Sequence, residues 1–161
     1  MTHRTGIGFD AHAFAPDRAL VVGGVTIPHE RGLAGWSDAD PLLHALTDAI
    51  LGAAGLGDIG RHFPPGDPRW EGADSRLFLR EAAARVRAGG WEIENVDATL
   101  LAEVPRFAPH VPAMTAVIAE ALGIDPDRVG VKATTLEGMG FIGREEGIAA
   151  LAVATVSRTA G

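Results

Sequence analysis

The order of strand-like and helix-like segments is the feature that most narrows the folds open to this chain. Strand patterns come first, and Gly23-Gly24 marks a hairpin turn between two of them. The predicted strands are residues 4–9, 19–22, 25–27, 91–102, 129–133 and 148–156, and the predicted helices are residues 37–54, 74–87 and 109–122. Because strands and helices do not alternate strictly, we predict an α+β fold in which helices pack on one face of a mixed sheet.

Composition narrows the class of protein further. The chain has 161 residues, 47% of them hydrophobic, which is enough for one domain over residues 1–161 with its own core. A net charge of −7 argues against a nucleic-acid partner but not against a small phosphorylated substrate. The 21 glycines predict tight turns and closely packed backbone, and the absence of cysteine excludes thiolate chemistry. No apolar run is long enough for a membrane span, and no apolar signal region follows the N-terminus, so we expect a cytoplasmic location.

The motif Asp10-Ala11-His12, together with His44, indicates a metal site. Alternate residues of a strand point to the same side, so Asp10 and His12 can reach one ion together. A carboxylate and two imidazoles are an open zinc ligand set, which leaves one position for water or substrate. The spacing by itself is also compatible with ordinary solvated or satisfied side chains near a strand end, and taken alone it favours that alternative.

The helix that carries His44 has a polar face amid apolar neighbours. Asp40, His44 and Asp48 follow one another at intervals of four residues and therefore share that face. We predict that Ser37 caps the helix, with Asp40 completing a capping box. Because a metal-bound histidine usually donates its other N–H to an acceptor, Asp40 and Asp48 are candidate partners of His44. The alternative is a solvated helix face.

Four stretches together resemble one enzyme family over about residues 6–156. They are residues 8–12 (GFDAH), 37–48 (SDADPLLHALTD), 57–64 (GDIGRHFP) and 131–144 (VKATTLEGMGFIGR). In this order and at these separations, they are similar to the 2-C-methyl-D-erythritol 2,4-cyclodiphosphate synthases of the non-mevalonate isoprenoid pathway. The resemblance implies release of CMP from 4-diphosphocytidyl-2-C-methyl-D-erythritol 2-phosphate as the cyclic diphosphate forms.

The resemblance also implies cofactors and an assembly. Zinc is expected on Asp10, His12 and His44, and Mg²⁺ or Mn²⁺ on Glu137 through the substrate diphosphate. The family forms homotrimers around a central sheet core, with active sites between subunits. An axial cavity for an isoprenoid diphosphate is expected near Phe9, Arg144 and Glu146; for Arg144 the alternative is an intersubunit salt bridge.

The resemblance also implies which residues of this chain contact the substrate. Residues 58–60 are expected to hold the methylerythritol end, residues 63–67 to lie over the substrate, and residues 102–108 and 134–137 to hold cytidine and phosphates. The catalytic candidates are Trp36, Lys132 and Thr135. The expected substrate-binding residues are Asp10, His12, Trp36, Ser37, Asp58, Ile59, Gly60, Phe63, Asp67, Ala102, Pro105, Arg106, Ala108, Thr134, Thr135, Leu136, Glu137, Phe141 and Arg144.

The chain departs from the family pattern in the loop after Phe63, which reads Pro64-Pro65-Gly66-Asp67 rather than Pro-Asp-Thr-Asp, and at three further residues. Trp36 stands where the family has a histidine that helps to orient the reacting phosphates, and an indole offers one N–H donor without positive charge. We hypothesise that this lowers turnover modestly. Leu136 replaces a threonine, and Glu145 replaces a glycine.

Two other functions stay open at this level. A trimeric scaffold that binds a nucleotide or an isoprenoid diphosphate without cyclising it would account for the three departures. A zinc hydrolase needs a general base beside the metal-bound water, and Asp40, Asp48 and His62 are the candidates.

Overall fold

The structure, a computed structural model, describes residues 1–159. It contains a five-stranded sheet, a separate two-stranded hairpin and five helices. The strands are β1 (Thr2–Ala15), β2 (Leu20–Val22), β3 (Val25–Ile27), β4 (Gly32–Leu33), β5 (Glu92–Leu101), β6 (Val129–Thr134) and β7 (Gly147–Arg158). The helices are α1 (Pro41–Ala54), α2 (Ile59–His62), α3 (Ser75–Ala88), α4 (Val111–Leu122) and α5 (Gly140–Gly143).

The main sheet is mixed, as the sequence predicts. Its strands lie in the order β4-β1-β7-β5-β6. Strand β7 is antiparallel to both β1 and β5, whereas β5 and β6 are parallel. Strands β2 and β3 form the predicted hairpin around Gly23-Gly24. The α+β class with a mixed sheet is therefore confirmed.

Helix α1 lies directly on strand β1, and two glycines make this approach possible. A Cβ atom built on Gly6 would lie 2.1 Å from the carbonyl oxygen of Ala49, and one on Gly8 would lie 1.9 Å from that of Ala45. Any side chain at these positions would push the helix away from the sheet, because the obstacle is helix backbone. The two glycines therefore set the distance between β1 and α1.

The opposite face of β1 and β7 carries exposed apolar side chains. Ile7 is 68% exposed, Phe9 57%, Leu151 40% and Val153 39%. These residues alternate along their strands with buried ones, so they share one side of the sheet. One face of these two strands is packed against α1, and the other presents an apolar patch.

Asp40 joins α1 to the hairpin. Its side chain accepts a hydrogen bond from the backbone N–H of Leu43 at 3.0 Å, and it also accepts the amides of Gly23 at 3.0 Å and Gly24 at 2.7 Å. The carboxyl group is wholly buried, and this burial raises the pKa of Asp40 to about 6. One side chain thus caps the helix and holds the turn between β2 and β3.

The predicted start of α1 is therefore wrong in its capping residue. Asp40 is the N-cap, and Pro41 occupies the first helical position. Ser37 lies further upstream, where its hydroxyl accepts the amide of Ala39 at 3.2 Å. The local sequence favoured Ser37 as the cap. In the structure Asp40 is the cap, and its position is also fixed by hydrogen bonds from the hairpin amides of Gly23 and Gly24.

The other predicted elements agree with the structure in type, and their ends differ. Strand β1 extends beyond residues 4–9 in both directions, so Asp10 and His12 lie within it. The segment 56–70, predicted as loop, contains α2 and a 3₁₀ turn at Pro68–Trp70. The short elements β4 and α5 were not predicted. Within residues 1–159, no helix has the length and apolar composition needed to cross a membrane.

Replacing Gly8 with alanine should destabilise the fold strongly. The new methyl group would overlap the Ala45 carbonyl and force α1 away from β1, at an expected loss of about 3 kcal/mol or more in the free energy of unfolding. The matched control is Gly52→Ala, whose new Cβ would meet its nearest atom, the Ile7 carbonyl oxygen, at 4.0 Å. This control should be neutral or stabilising by up to about 1 kcal/mol. Urea denaturation compares the two, and equal stabilities would contradict the steric account.

Candidate functional site

The predicted metal ligands meet between β1 and α1. Asp10 and His12 project from β1 towards the helix, on the same side as Gly6 and Gly8, and His44 comes from the first turns of α1. The three residues each offer a ligand atom within 4.8 Å of the other two. His12 Nε2 lies 2.7 Å from Asp10 Oδ2, and His44 Nδ1 lies 3.1 Å from the same oxygen. The structure therefore brings together the set that the sequence singled out.

The charges of this group favour an ionised carboxylate. Burial disfavours the charged form of Asp10, but hydrogen bonds and charge from His12 and His44 outweigh it and lower the pKa of Asp10 to about 2. Burial likewise opposes protonation of His12, and the contact with Asp10 overcomes it and raises the pKa of His12. A carboxylate that is ionised at neutral pH is ready to act as a metal ligand.

The second ring nitrogen of each histidine has its own partner. His12 Nδ1 lies 2.8 Å from the carbonyl oxygen of Ala34, and His44 Nε2 lies 2.8 Å from Ser75 Oγ. The prediction that Asp40 or Asp48 holds His44 is wrong. Asp40 is occupied by helix and hairpin amides, and Asp48 accepts the backbone N–H of Ile59 at 2.7 Å.

The donor set fits a zinc ion. His12 Nε2, His44 Nδ1 and Asp10 Oδ2 converge, and the remaining ring nitrogens are held by fixed acceptors, which is the arrangement usual for metal-bound imidazoles. Two imidazoles and one carboxylate suit zinc and leave a position open for substrate. Sequence reasoning missed Ser75, because nothing local marks a serine at the start of one helix as the neighbour of a histidine on another.

A cavity opens beside the two histidines. It contains six of the predicted substrate residues along with aromatic residues that sequence reasoning did not select. Its lining residues are His12, Trp36, Ser37, His44, Ile59, Gly60, Phe63, Pro65, Trp70 and Phe78. The rings of Phe63 and Phe78 pack at a centroid distance of 4.8 Å, and Trp70 meets both edge-on. The cavity is therefore lined in part by apolar aromatic rings and in part by polar side chains that include His12 and His44.

Trp36 fastens the loop that borders this cavity. Its Nε1–H donates to the carbonyl oxygen of Asp67 at 3.0 Å, and its own carbonyl accepts the amide of Gly72 at 2.8 Å. The Asp67 side chain pairs with Arg69 at 2.6 Å. The single donor of the indole is thus engaged with the protein.

The segment expected to hold the methylerythritol end begins helix α2. Asp58 is its N-cap and accepts the backbone N–H of Arg61 at 3.0 Å. The amide of Ile59 is held by Asp48 from α1. Helix α1 therefore positions both His44 and this segment.

A second cavity collects the residues expected at the cytidine site. It lies where the ends of the parallel strands β5 and β6 meet, and the amide of Ala102 donates to the Thr134 carbonyl at 3.0 Å there. Its lining residues are Ala102, Glu103, Pro105, Arg106, Phe107, Ala108, Ala133, Thr134 and Thr135. Within residues 1–159 of one chain, the two cavities share no lining residue.

The structure places three further candidates near the second cavity but outside its lining. Lys132 Nζ donates to Asp97 Oδ1 on the neighbouring strand at 2.6 Å. Leu136 donates its amide to Glu103 Oε1 at 2.7 Å. Glu137 is an exposed residue beyond the end of β6, and its backbone is left-handed with φ of 54°.

Phe141 and Arg144 lie at a third position. Phe141 lines a cavity with Ala11, His12, Ala13, Glu146 and Gly147. Arg144 pairs with Glu146 of the same chain at 3.0 Å, and both side chains are largely exposed.

The chain matches the family model described as the YgbB family over residues 3–157. It is 62% identical over 157 residues to a 2-C-methyl-D-erythritol 2,4-cyclodiphosphate synthase of Bordetella avium, which spans 98% of this chain and 97% of that protein. Among solved structures, the bifunctional IspDF of Campylobacter jejuni is similar with a TM-score of 0.94 and 44% identity, over 98% of this chain and 43% of that longer one. An IspF–CDP complex of Plasmodium falciparum has a TM-score of 0.85 and 31% identity, over 98% and 97% of the two chains.

Replacing His44 with alanine should remove the metal. The variant leaves two ligands of three, and the expected result is loss of most bound zinc after equilibration with zinc and dialysis, measured by atomic emission. The control is His3→Ala, an exposed histidine at the start of β1, which should retain the zinc content of the parent. Full zinc occupancy in the His44 variant would show that the ligand assignment is wrong.

Proposed function

The chain belongs to the YgbB family of 2-C-methyl-D-erythritol 2,4-cyclodiphosphate synthases, and on this premise we propose how its residues carry out the reaction. The enzyme converts 4-diphosphocytidyl-2-C-methyl-D-erythritol 2-phosphate to 2-C-methyl-D-erythritol 2,4-cyclodiphosphate and releases CMP. The observation that carries the proposal is the convergence of Asp10, His12 and His44 at the edge of a cavity with an aromatic lining.

Asp10, His12 and His44 hold zinc in this proposal, and Glu137 holds Mg²⁺ or Mn²⁺ through the substrate diphosphate. When bound, the two ions would neutralise charge on the phosphates and polarise the reacting phosphorus–oxygen bonds. The support for zinc is the histidine-rich donor set; for the second ion it is a solvent-exposed carboxylate beside the second cavity.

The reaction is an internal displacement, so the protein mainly needs to fold the substrate. An oxygen of the 2-phosphate attacks the β-phosphorus, and CMP leaves as the bond to the α-phosphate breaks. Nucleophile and electrophile belong to one molecule, and holding them in line supplies much of the rate enhancement. Residues 58–60 and the aromatic wall of Phe63, Trp70 and Phe78 would enclose the methylerythritol carbons.

The second cavity takes the cytidine diphosphate end. Backbone groups around Ala102 and Pro105 would bind the base, and the hydroxyls of Thr134 and Thr135 would donate to phosphate oxygens. An IspF of Plasmodium falciparum binds CDP, and it resembles this chain over nearly its whole length. Arg106 also lines this cavity and supplies positive charge to a chain that is acidic overall.

A homotrimer with sites between subunits would unite the two cavities. Within the described part of one chain, the metal ligands and the cytidine cavity share no lining residue, although one substrate must reach both. The apolar patch of Ile7, Phe9, Leu151 and Val153 is the surface that subunits would bury around the axis. Phe141, Arg144 and Glu146 would then line the axial cavity for an isoprenoid diphosphate. The cytoplasmic location expected from the sequence stays a prediction.

Direct turnover tests the proposed function. The purified protein is incubated with zinc, Mg²⁺ and 4-diphosphocytidyl-2-C-methyl-D-erythritol 2-phosphate, and the products are followed by ³¹P NMR. The expected result is CMP together with a cyclic diphosphate, because the internal phosphate is the nucleophile. CMP with an open-chain phosphate would indicate a hydrolase, and binding of cytidine nucleotide without turnover would indicate a scaffold.

Two variants of Trp36 test two separate effects: the hydrogen bond that its indole makes to the loop at Asp67, and the absence of the histidine that the family has at this position. Trp36→Phe loses the hydrogen bond to Asp67, so KM should rise about 2- to 10-fold, the equivalent of one such bond, with kcat and zinc content unchanged. Trp36→His restores a donor that can carry positive charge, so kcat should rise modestly. Steady-state kinetics measures both. Parent-like KM in the phenylalanine variant would contradict the loop role, and unchanged kcat in the histidine variant would show that the charge contributes little.

A further inference from the structure

A chain of hydrogen bonds leads from the metal ligand His44 to a buried serine and an aspartate. His44 Nε2 lies 2.8 Å from Ser75 Oγ, and the Ser75 hydroxyl is also hydrogen-bonded to Asp38 Oδ1. The backbone N–H of Ser75 donates to the second carboxylate oxygen of Asp38 at 3.0 Å. Ser75 is fully buried at the first position of α3, so neither its hydroxyl nor its amide has water as an alternative partner.

The donor and acceptor in each of these hydrogen bonds follow from the chemistry of the three side chains. The carboxylate of Asp38 can only accept, so the serine hydroxyl must give its proton to Asp38. The lone pairs of Ser75 Oγ are then free to accept, and the only hydrogen that His44 can offer there is the one on Nε2. With the proton on Nε2, the neutral imidazole carries a bare lone pair on Nδ1, which is the nitrogen that faces Asp10 and His12.

We propose that Ser75 and Asp38 are positioning residues that hold the His44 ring in the tautomer and orientation required for zinc binding. This inference rests on the proposed function, because it takes zinc as the ion held by Asp10, His12 and His44. In the described part of the chain, neither residue is one of the three candidate metal ligands and neither lines the substrate cavity; both act through His44. Such outer partners orient metal ligands and raise their basicity.

The neighbouring hydroxyl of Ser37 is a weaker partner for His44 than Ser75 is. Its Oγ lies 3.3 Å from His44 Nε2, half an ångström further than that of Ser75, and it already accepts the amide of Ala39. His12 is oriented differently, by the carbonyl of Ala34. The two histidines therefore depend on different parts of the fold, and His44 depends on the start of α3.

Two substitutions, one at Ser75 and one at Asp38, test this chain of hydrogen bonds. Ser75→Ala removes the hydroxyl and retains the backbone amide that binds Asp38. Asp38→Asn preserves the shape of the side chain but replaces one acceptor oxygen with an NH₂ donor. In one orientation of the amide, this NH₂ group faces the backbone N–H of Ser75, and in the other orientation it faces the Ser75 hydroxyl hydrogen. The matched control is Ser157→Ala, another buried serine whose hydroxyl donates to a carboxylate, that of Glu94, and which lies near the end of β7 paired with His3 of β1.

The first measurement is zinc affinity, by competition with a chromophoric chelator. Both variants should bind zinc about 10- to 100-fold more weakly than the parent, and Ser157→Ala should match the parent. The melting temperatures of the zinc-free proteins identify any general loss of fold. At limiting zinc, turnover of the two variants should fall, and excess zinc should restore it, because the lesion lies in ligand positioning.

Parent-like zinc affinity in either variant overturns the proposal. So does a loss of turnover that excess zinc fails to restore, since that would place the defect in the fold or in the chemistry. A parent protein that binds no zinc would instead contradict the proposed function, and this inference with it. If Ser75→Ala does not fold, the nearly isosteric Asp38→Asn still decides the question.

Discussion

The close packing of strand β1 against helix α1 is the constraint on which the rest of the structure depends. Gly6 and Gly8 allow carbonyl oxygens of the helix to lie where side chains would otherwise stand. Two and four residues after Gly8, the same side of the strand presents Asp10 and His12, and the helix presents His44. A metal site assembled from a strand and a helix needs their separation fixed to within a fraction of an ångström, and backbone-to-backbone contact provides this with the least freedom.

Acidic side chains within α1 and just before it organise the surroundings of the site by accepting hydrogen bonds. Asp40 caps the helix and holds the hairpin amides, Asp38 holds the start of α3 through Ser75, and Asp48 holds the amide of Ile59. Each of these carboxylates is partly or wholly removed from water, and hydrogen bonds from backbone amides compensate for the lost hydration. Much of the negative charge in this region thus serves to join elements that are distant in sequence.

The geometry of one chain supports the proposal that the active site is completed by a neighbouring subunit. The metal ligands face the aromatic cavity, while the threonines and Arg106 face a separate cavity at the ends of β5 and β6. In the proposed function, a diphosphate ester that joins a cytidine to a methylerythritol phosphate contacts both cavities. The apolar patch on the outer face of β1 and β7 is consistent with subunits that meet through their sheets and place one cavity against the other.

The sequence by itself determined the types of the longer elements, the α+β class, the candidate ligands Asp10, His12 and His44, and the family to which they point. These follow from local periodicity, from short motifs and from residue chemistry. Only the tertiary structure decided which acceptors those ligands use. Asp40 shares a helix face with His44 yet bonds to the hairpin, and Lys132 pairs with Asp97 across two strands. Ser75 reaches His44 from another helix, because a hydrogen bond between elements depends on how α1 and α3 pack, and no spacing along the chain encodes that contact.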